Sequence, residues 1–323
     1  MSKIIVALGG NALGNNAQEQ LERATVASKA IADLIEAGHE LVIVHGNGPQ
    51  VGQIRLAFED SHAKGDVPLI PFAECIAMSQ GYIGYHLQQA IDEELVARGH
   101  DDIPVIAMLT QVVVDANDSA FANPSKPIGG YYSESDAKRL MQETGNIYRE
   151  DAGRGWRRVV PSPKPIDIYE KLTLKALMED KQVVIACGGG GVPVVYSGTR
   201  YHGVDAVVDK DFAAAKLAHL VDADVLLILT AVDRVFINFN TPEQMALETI
   251  TLAEAANYVE KGYFAAGSML PKVQAGMMFV GGNNDANDCS ASAITKNRRA
   301  IIGSLDKAAD SLVGQSGTTI VAC

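Results

Sequence analysis

No CxxC pair occurs in this chain, whose four cysteines, Cys75, Cys187, Cys289 and Cys323, stand far apart. That spacing argues against a disulfide framework and against a zinc site, and it fits a reducing compartment. Long hydrophobic runs are missing too. The apolar stretch behind Lys3 covers only Ile4 to Leu8, too short for a secretory core, and no uninterrupted run approaches the roughly 18 residues needed to span a bilayer. The expectation is a soluble, cytoplasmic protein without a membrane partner. Basic charge is scarce as well: 27 Lys and Arg stand against 39 Asp and Glu, a net charge of −12. A protein that wraps nucleic acid or lies on an anionic membrane would favour a basic face, so neither partner is expected.

Familiar catalytic patterns are equally absent. There is no GxxxxGK[ST] loop and no GxGxxG, because after Gly46 and Gly48 the next glycine is Gly52, one position late. HRD and DFG segments are missing, as are a GxSxG elbow and an HExxH helix. The seven histidines are scattered. His45 lies between an apolar run and a glycine loop, where a lone histidine is more often structural than catalytic.

What the chain does have is an alternation of short β-branched runs with longer helix-period segments. Lys3 to Leu8, Leu41 to Val44, Pro104 to Val114, Gln182 to Cys187 and Val225 to Leu229 read as strands buried on both faces. Helices are expected over Ala17 to Ala37, Ala73 to Arg98, Leu172 to Asp180, Phe212 to Leu220 and Leu252 to Lys261. This is the pattern of parallel strands joined by crossover helices, an α/β fold. No internal repeat or low-complexity tract breaks it.

One segment does depart from the alternation. From about Ser119 to Pro165 the chain carries Pro124, Pro127, Pro161, Pro163 and Pro165, with Gly129, Gly130, Gly153 and Gly155 among them, punctuation suited to hairpins and a protruding subdomain. Between Lys126 and Lys164 there are eight Lys or Arg against five acids, so this piece is locally basic in an acidic chain. A basic lid over an anionic substrate and a surface patch held by salt bridges both account for that.

Three glycine clusters follow buried-type strands: Gly9, Gly10 and Asn11; Gly46, Asn47, Gly48 and Pro49; and Gly188 to Gly191. In open α/β sheets ligands bind beyond the carboxyl ends of the strands, where glycine lets backbone amides converge on oxygen. Three lysines sit in constrained places. Lys126 is braced by Pro124 and Pro127, Lys272 follows Pro271 where a helix begins, and Lys210 stands between Asp209 and Asp211 where a strand pattern gives way to a helix. Asp209 alone would be read as a helix cap and each lysine alone as a surface group. Three such lysines beside three glycine loops favour phosphoryl transfer, which needs positive charge spread around equatorial oxygens.

The residues also carry a family resemblance over essentially the whole chain. VALGGNA (Val6 to Ala12), HGNGPQVG (His45 to Gly52), MSQGYIGY (Met78 to Tyr85), NPSKPIG (Asn123 to Gly129), EDAGRGWRRVVPSPKPIDI (Glu150 to Ile168), CGGGGVPVV (Cys187 to Val195), VVDKDFA (Val207 to Ala213), LVDADVLLILTAVD (Leu220 to Asp233) and FAAGSMLPKV (Phe264 to Val273) resemble the carbamate kinases. The glycine loops are common to amino-acid kinases generally, whereas NPSKPIG and the arginine-rich run favour carbamate over acetylglutamate, aspartate or UMP as acceptor. A catalytically silent sensor on the same fold is the other alternative. The stretch Gly281 to Arg299 departs from the family by its length.

The resemblance implies a single domain over residues 1–323, a three-layer αβα sandwich with a mostly parallel central sheet and a small protruding lid subdomain over 121–161. It implies a homodimer, with small-molecule substrates bound by the N-terminal part and nucleotide by about 212–323. The implied reaction moves a phosphoryl group reversibly between ATP and carbamate, giving ADP and carbamoyl phosphate. The family commonly runs it towards ATP, on carbamoyl phosphate from the breakdown of arginine or related ureido compounds. Carbamate already carries an anionic oxygen, so no general base is needed. By resemblance Lys126 and Lys210 contact the transferring phosphoryl group, and Lys272 contacts the nucleotide phosphates. Asp211 orients the lysines, with a water-mediated link to Mg²⁺ left open. Gly9, Gly10, Asn11, Asn47, Gly48, Gly189 and Gly190 bind substrate. Thr230, Ala231, Val232, Asp233, Ala266, Gly267, Ser268 and Met269, with Lys210, Asp211 and Lys272, flank the nucleotide. Magnesium would be held by phosphate oxygens, without dedicated protein ligands.

Overall fold

Along the first strand the side chains alternate between two cores. Ile5 and Ala7 face one, and Ile4, Val6 and Leu8 face the other, all fully buried. A strand apolar on both faces needs a helix layer on each side, and the chain supplies them. The computed structural model describes residues 1–9, 14, 16–151, 153–282 and 298–323. In chain order these form β1 (Lys3–Leu8), α1 (Ala17–Glu36), β2 (Glu40–His45), α2 (Gly48–Ala63), α3 (Phe72–Ala97), β3 (Val105–Ala107) and β4 (Gln111–Val114). Next come β5 (Lys126–Tyr132), α4 (Glu134–Thr144), β6 (Ile147–Glu150) and β7 (Trp156–Val160), then β8 (Pro165–Ile168), α5 (Lys171–Glu179), β9 (Val183–Ile185), β10 (Val192–Tyr196) and β11 (Tyr201–Gly203). The C-terminal part holds α6 (Lys210–Leu220), β12 (Val225–Thr230), β13 (Val235–Ile237), β14 (Met245–Leu247), β15 (Thr249–Thr251), α7 (Leu252–Glu260), α8 (Met269–Gly281), β16 (Arg299–Ser304), α9 (Ala308–Leu312) and β17 (Thr318–Val321).

Among the described residues the central sheet has eight strands in the order β15-β17-β16-β12-β1-β2-β9-β3, parallel except for β16 with β17. Helices α5, α6, α7 and α8 pack on one face and α1, α3 and α9 on the other. This is the three-layer α/β sandwich expected from the sequence. No described helix is long and apolar enough to cross a membrane.

Two sequence readings need correction. The run Pro104 to Val114 is not one strand: β3 ends the large sheet, while β4 joins a smaller sheet of order β11-β10-β4-β8. The break lies at Thr110, whose backbone exchanges hydrogen bonds with the side-chain amide of Gln80. Helix α2 lies outside the helices expected above, because its buried residues, Gln50, Val51, Gly52 and Arg55, do not make an apolar stripe.

The proline-rich segment forms a three-stranded antiparallel sheet, β5-β7-β6, with α4 beside it. Four of its eight basic residues pair locally. Lys138 meets Glu134, Arg139 meets Glu143, and Arg154 and Arg157 both meet Asp151. Salt-bridged surface therefore accounts for much of the local charge, and of these cations Lys126 is the one that lines the cleft below. Gly281, Gly282, Arg298 and Arg299 frame the long stretch near Cys289, whose interior lies outside the described residues.

Candidate active site

The carboxyl ends of β1, β2, β9 and β12 open into a cleft of about 410 Å³, within the range of small-molecule sites. Five sequence segments meet there. Gly9 and Thr230 end β1 and β12. Gly46 to Pro49 lead β2 into α2, whose N-terminus faces the cleft. Asp209, Lys210 and Asp211 begin α6, and Gly267, Ser268, Pro271 and Lys272 begin α8. Lys126, Pro127 and Ile128 of β5 close one side.

The helix start at α6 organises the charges. Asp209 is the N-cap, and its Oδ1 accepts the Asp211 amide at 2.9 Å, which fixes the first turn. That turn directs Lys210 and Asp211 together into the cleft. The Lys210 ammonium donates to Asp211 Oδ1 at 2.7 Å, and Lys272 donates to Asp211 Oδ2 at 2.9 Å. Asp211 is buried, and burial alone would raise its pKa. The two ammonium groups outweigh burial and hold the carboxyl below its ordinary range. Lys210 is shifted down by burial first, with Asp211 opposing and the Lys272 charge reinforcing. Lys126 reaches the same helix start from the other side, donating to Asp209 Oδ2 at 2.6 Å.

Asp209 thus has a role that its sequence position does not disclose. It caps α6 with one oxygen and holds the Lys126 ammonium with the other. The capping half was legible as an Asp before a helix. The ion pair was not, because its partner lies 83 positions away.

The glycine loops shape the floor. Cys187, Gly189, Gly190 and Gly191 all have positive φ, a conformation glycine adopts without strain. A Cβ on Gly189 would fall 2.1 Å from Asn47 Nδ2, and one on Gly190 would fall 1.9 Å from the Val208 carbonyl oxygen. Gly189 lines the cleft, whereas Gly190 seals the loop against Val208 and does not. Asn47 lines it too, with its Nδ2 committed to Ser79 Oγ at 2.9 Å. His45 lies beneath this floor, buried, with Nδ1 2.7 Å from the Gly46 carbonyl oxygen. Burial pushes it down to about 4, so it is neutral and structural at ordinary pH.

Not every expected residue meets the cleft. Ala231 lines a neighbouring hollow of about 270 Å³ that shares Gly9 and Thr230 with it. Asp233 turns outward to Lys307 at 2.5 Å, tying the end of β12 to the segment before α9. Val232, Ala266 and Met269 flank the lining segments without lining the cleft themselves. Gly10 and Asn11 lie outside the described residues.

A buried carboxylate holding two ammoniums, with a third cation arriving from a lid, describes a site for a phosphorylated anion, as in a phosphotransferase. Residues 2–286 match the model of the amino acid kinase family. A carbamate kinase of Clostridium perfringens is 52% identical over 326 residues, covering 99% of this chain and 99% of that protein. A carbamate kinase-like protein of Escherichia coli is 49% identical over 98% of both. Among solved structures, carbamate kinase from Giardia lamblia bound to AMP-PNP superposes with a TM-score of 0.89 at 40% identity, covering 100% of this chain and 99% of that one. The chain belongs to the amino acid kinase family and, within it, to the carbamate kinases.

Proposed function

We propose that the chain transfers a phosphoryl group reversibly between ATP and carbamate, and that in the cell it makes ATP from ADP and carbamoyl phosphate. The observation that carries this reading is the pair of carboxylates, Asp209 and Asp211, presenting Lys126, Lys210 and Lys272 to one cleft. Phosphoryl transfer asks the protein mainly for positioning and for positive charge on the equatorial oxygens. Lys126 and Lys210 face the transferring group and Lys272 the nucleotide phosphates. The attacking carbamate oxygen is already anionic, which suits a cleft whose nearest histidine is buried and neutral.

Gly9, Asn47, Gly48 and Gly189 border the carbamate end, and Thr230, Gly267 and Ser268 the nucleotide end. The AMP-PNP bound to the Giardia carbamate kinase supports ATP and ADP as ligands here. Magnesium would accompany the nucleotide and offset charge on its phosphates. Both Asp211 oxygens already accept lysine ammoniums, so phosphate oxygens and water are the natural ligands, with Asp211 reached through water. The carbamoyl phosphate would come from breakdown of arginine or related ureido compounds. Cytoplasmic residence fits the free thiols Cys75 and Cys187. A homodimer fits the exposed Met78 and Tyr85 on α3 and Ile106 and Leu109 around edge strand β3.

The test is ATP formation from ADP with carbamoyl phosphate. Sustained turnover is expected. No ATP from carbamoyl phosphate, with turnover on an acetylglutamate, aspartate or UMP couple, would replace carbamate by another acceptor. Nucleotide binding without turnover on any of them would make the chain a sensor.

A further inference from the structure

Lys126 can serve the cleft only if its strand sits at the right height above it, and the cleft itself supplies one contact for that purpose, the ion pair with Asp209. A second contact lies behind the strand, on α2. Glu59 Oε1 accepts Arg55 Nε of its own helix at 2.7 Å and an Arg158 guanidinium nitrogen of β7 at 3.2 Å. Arg55 is anchored in turn, donating to the Ile70 carbonyl at 2.6 Å. The guanidiniums are nearly buried, 11% and 12% exposed, and Glu59 is 34% exposed, so solvent screens this contact less than a surface pair.

Register connects it to the chemistry. Arg158 stands opposite Ile128, and Val160 stands opposite Lys126 two residues along the same ladder. Alongside, α2 and β5 touch backbone to backbone: a Cβ on Gly52 would lie 3.0 Å from Gly129 Cα, so the two elements approach as closely as glycine allows. Ile128 is buried among Val51, Phe72 and Val160. The seam is tight, and its charged member spans it from body to lid.

We propose that Glu59 is a positioning residue for Lys126: by gripping Arg158 it sets the height of β5, and so places the lysine ammonium over the cleft. Glu59 is not among the residues lining the cleft and acts through the strand. This rests on the reading of Lys126 given above. A reacting group misplaced by about 1 Å can cost on the order of a hundredfold in rate.

The experiment is a cycle of wild type, Glu59→Gln, Lys126→Ala and the double variant, assayed for ATP formation from ADP and carbamoyl phosphate. Glu59→Gln is expected to lower kcat/KM for carbamoyl phosphate by roughly tenfold, a partial form of that misplacement, with KM for ADP little changed. In the Lys126→Ala background it should lower it by less than about twofold, since no lysine remains to be placed. Arg158→Gln breaks the same contact from the lid side and must show the same non-additivity, also where Glu59→Gln fails to fold. Losses that multiply in the double variants would overturn the role of Glu59 while leaving Lys126 in place. An unimpaired Lys126→Ala variant would overturn the placing of Lys126 itself.

Discussion

The two halves of the lysine cluster are held in different ways. On the body side Asp211 is buried and binds Lys210 and Lys272 at once, from the first turns of α6 and α8, two helices packed on the sheet. On the lid side Lys126 rides on a three-stranded sheet, its side chain 37% exposed, and reaches the body through Asp209. Burial makes the first arrangement a fixed electrostatic frame and leaves the second open to exchange. A phosphate entering the cleft can compete with Asp209 for Lys126 more readily than with Asp211 for its two lysines. The frame belongs to the fold, and under the proposed function Lys126 is the cation free to exchange its carboxylate for the substrate.

The comparison breaks most visibly at Asp211. Asp211→Ala leaves two ammoniums facing each other in a largely buried place, and removing one partner of a buried pair costs about 3 to 5 kcal/mol. Denaturant unfolding should show a loss of that size together with lost turnover. A variant of near-normal stability would mean that the frame is more hydrated than its burial suggests.

His45 tests the floor of the same fixed wall. The unfolded chain takes up its proton near the ordinary 6.5 and the folded chain only near 4. Stability present above pH 6.5 is therefore lost as pH falls towards 4, by about 3 kcal/mol at 1.36 kcal/mol per unit. His45→Gln should lack that part of the acid limb when unfolding is followed from pH 7 to pH 4. Parallel limbs for the two proteins would place the acid sensitivity elsewhere.

The lid side should behave in the opposite way. Lys126→Ala removes a partly exposed ion pair, worth within about 1 kcal/mol of stability, yet it should impair transfer clearly. A thermal unfolding profile close to wild type beside weakened turnover is the expected combination. A large drop in stability would make Lys126 part of the buried frame.

Much of this was legible because the strands are short, apolar and followed by glycine, so β1, β2, β9 and the cleft at their ends could be read directly. Lys210, Asp211 and Lys272 stood out at helix starts, where a cap and a proline fix the local geometry. Less legible were features that depend on distant partners. The polar buried face of α2 hides a helix, Asp209 reads as a cap alone, and the close approach of Gly190 to the Val208 carbonyl has no sequence signal. Asp233 had the right neighbourhood in sequence, but its pairing with Lys307 turns it away. Local chemistry announces a site, whereas which oxygen holds which ammonium is decided by the crossing of elements far apart in the chain.

The most direct measurement is the turnover of Lys210→Ala with ADP and carbamoyl phosphate, on protein whose unfolding profile shows that it folds. Removing one such electrostatic donor typically forfeits about 2 to 4 kcal/mol of transition-state stabilisation, so ATP formation should fall by roughly two orders of magnitude or more. Turnover close to that of the wild type would contradict the claim that Lys210, held by Asp211, carries the transferring charge.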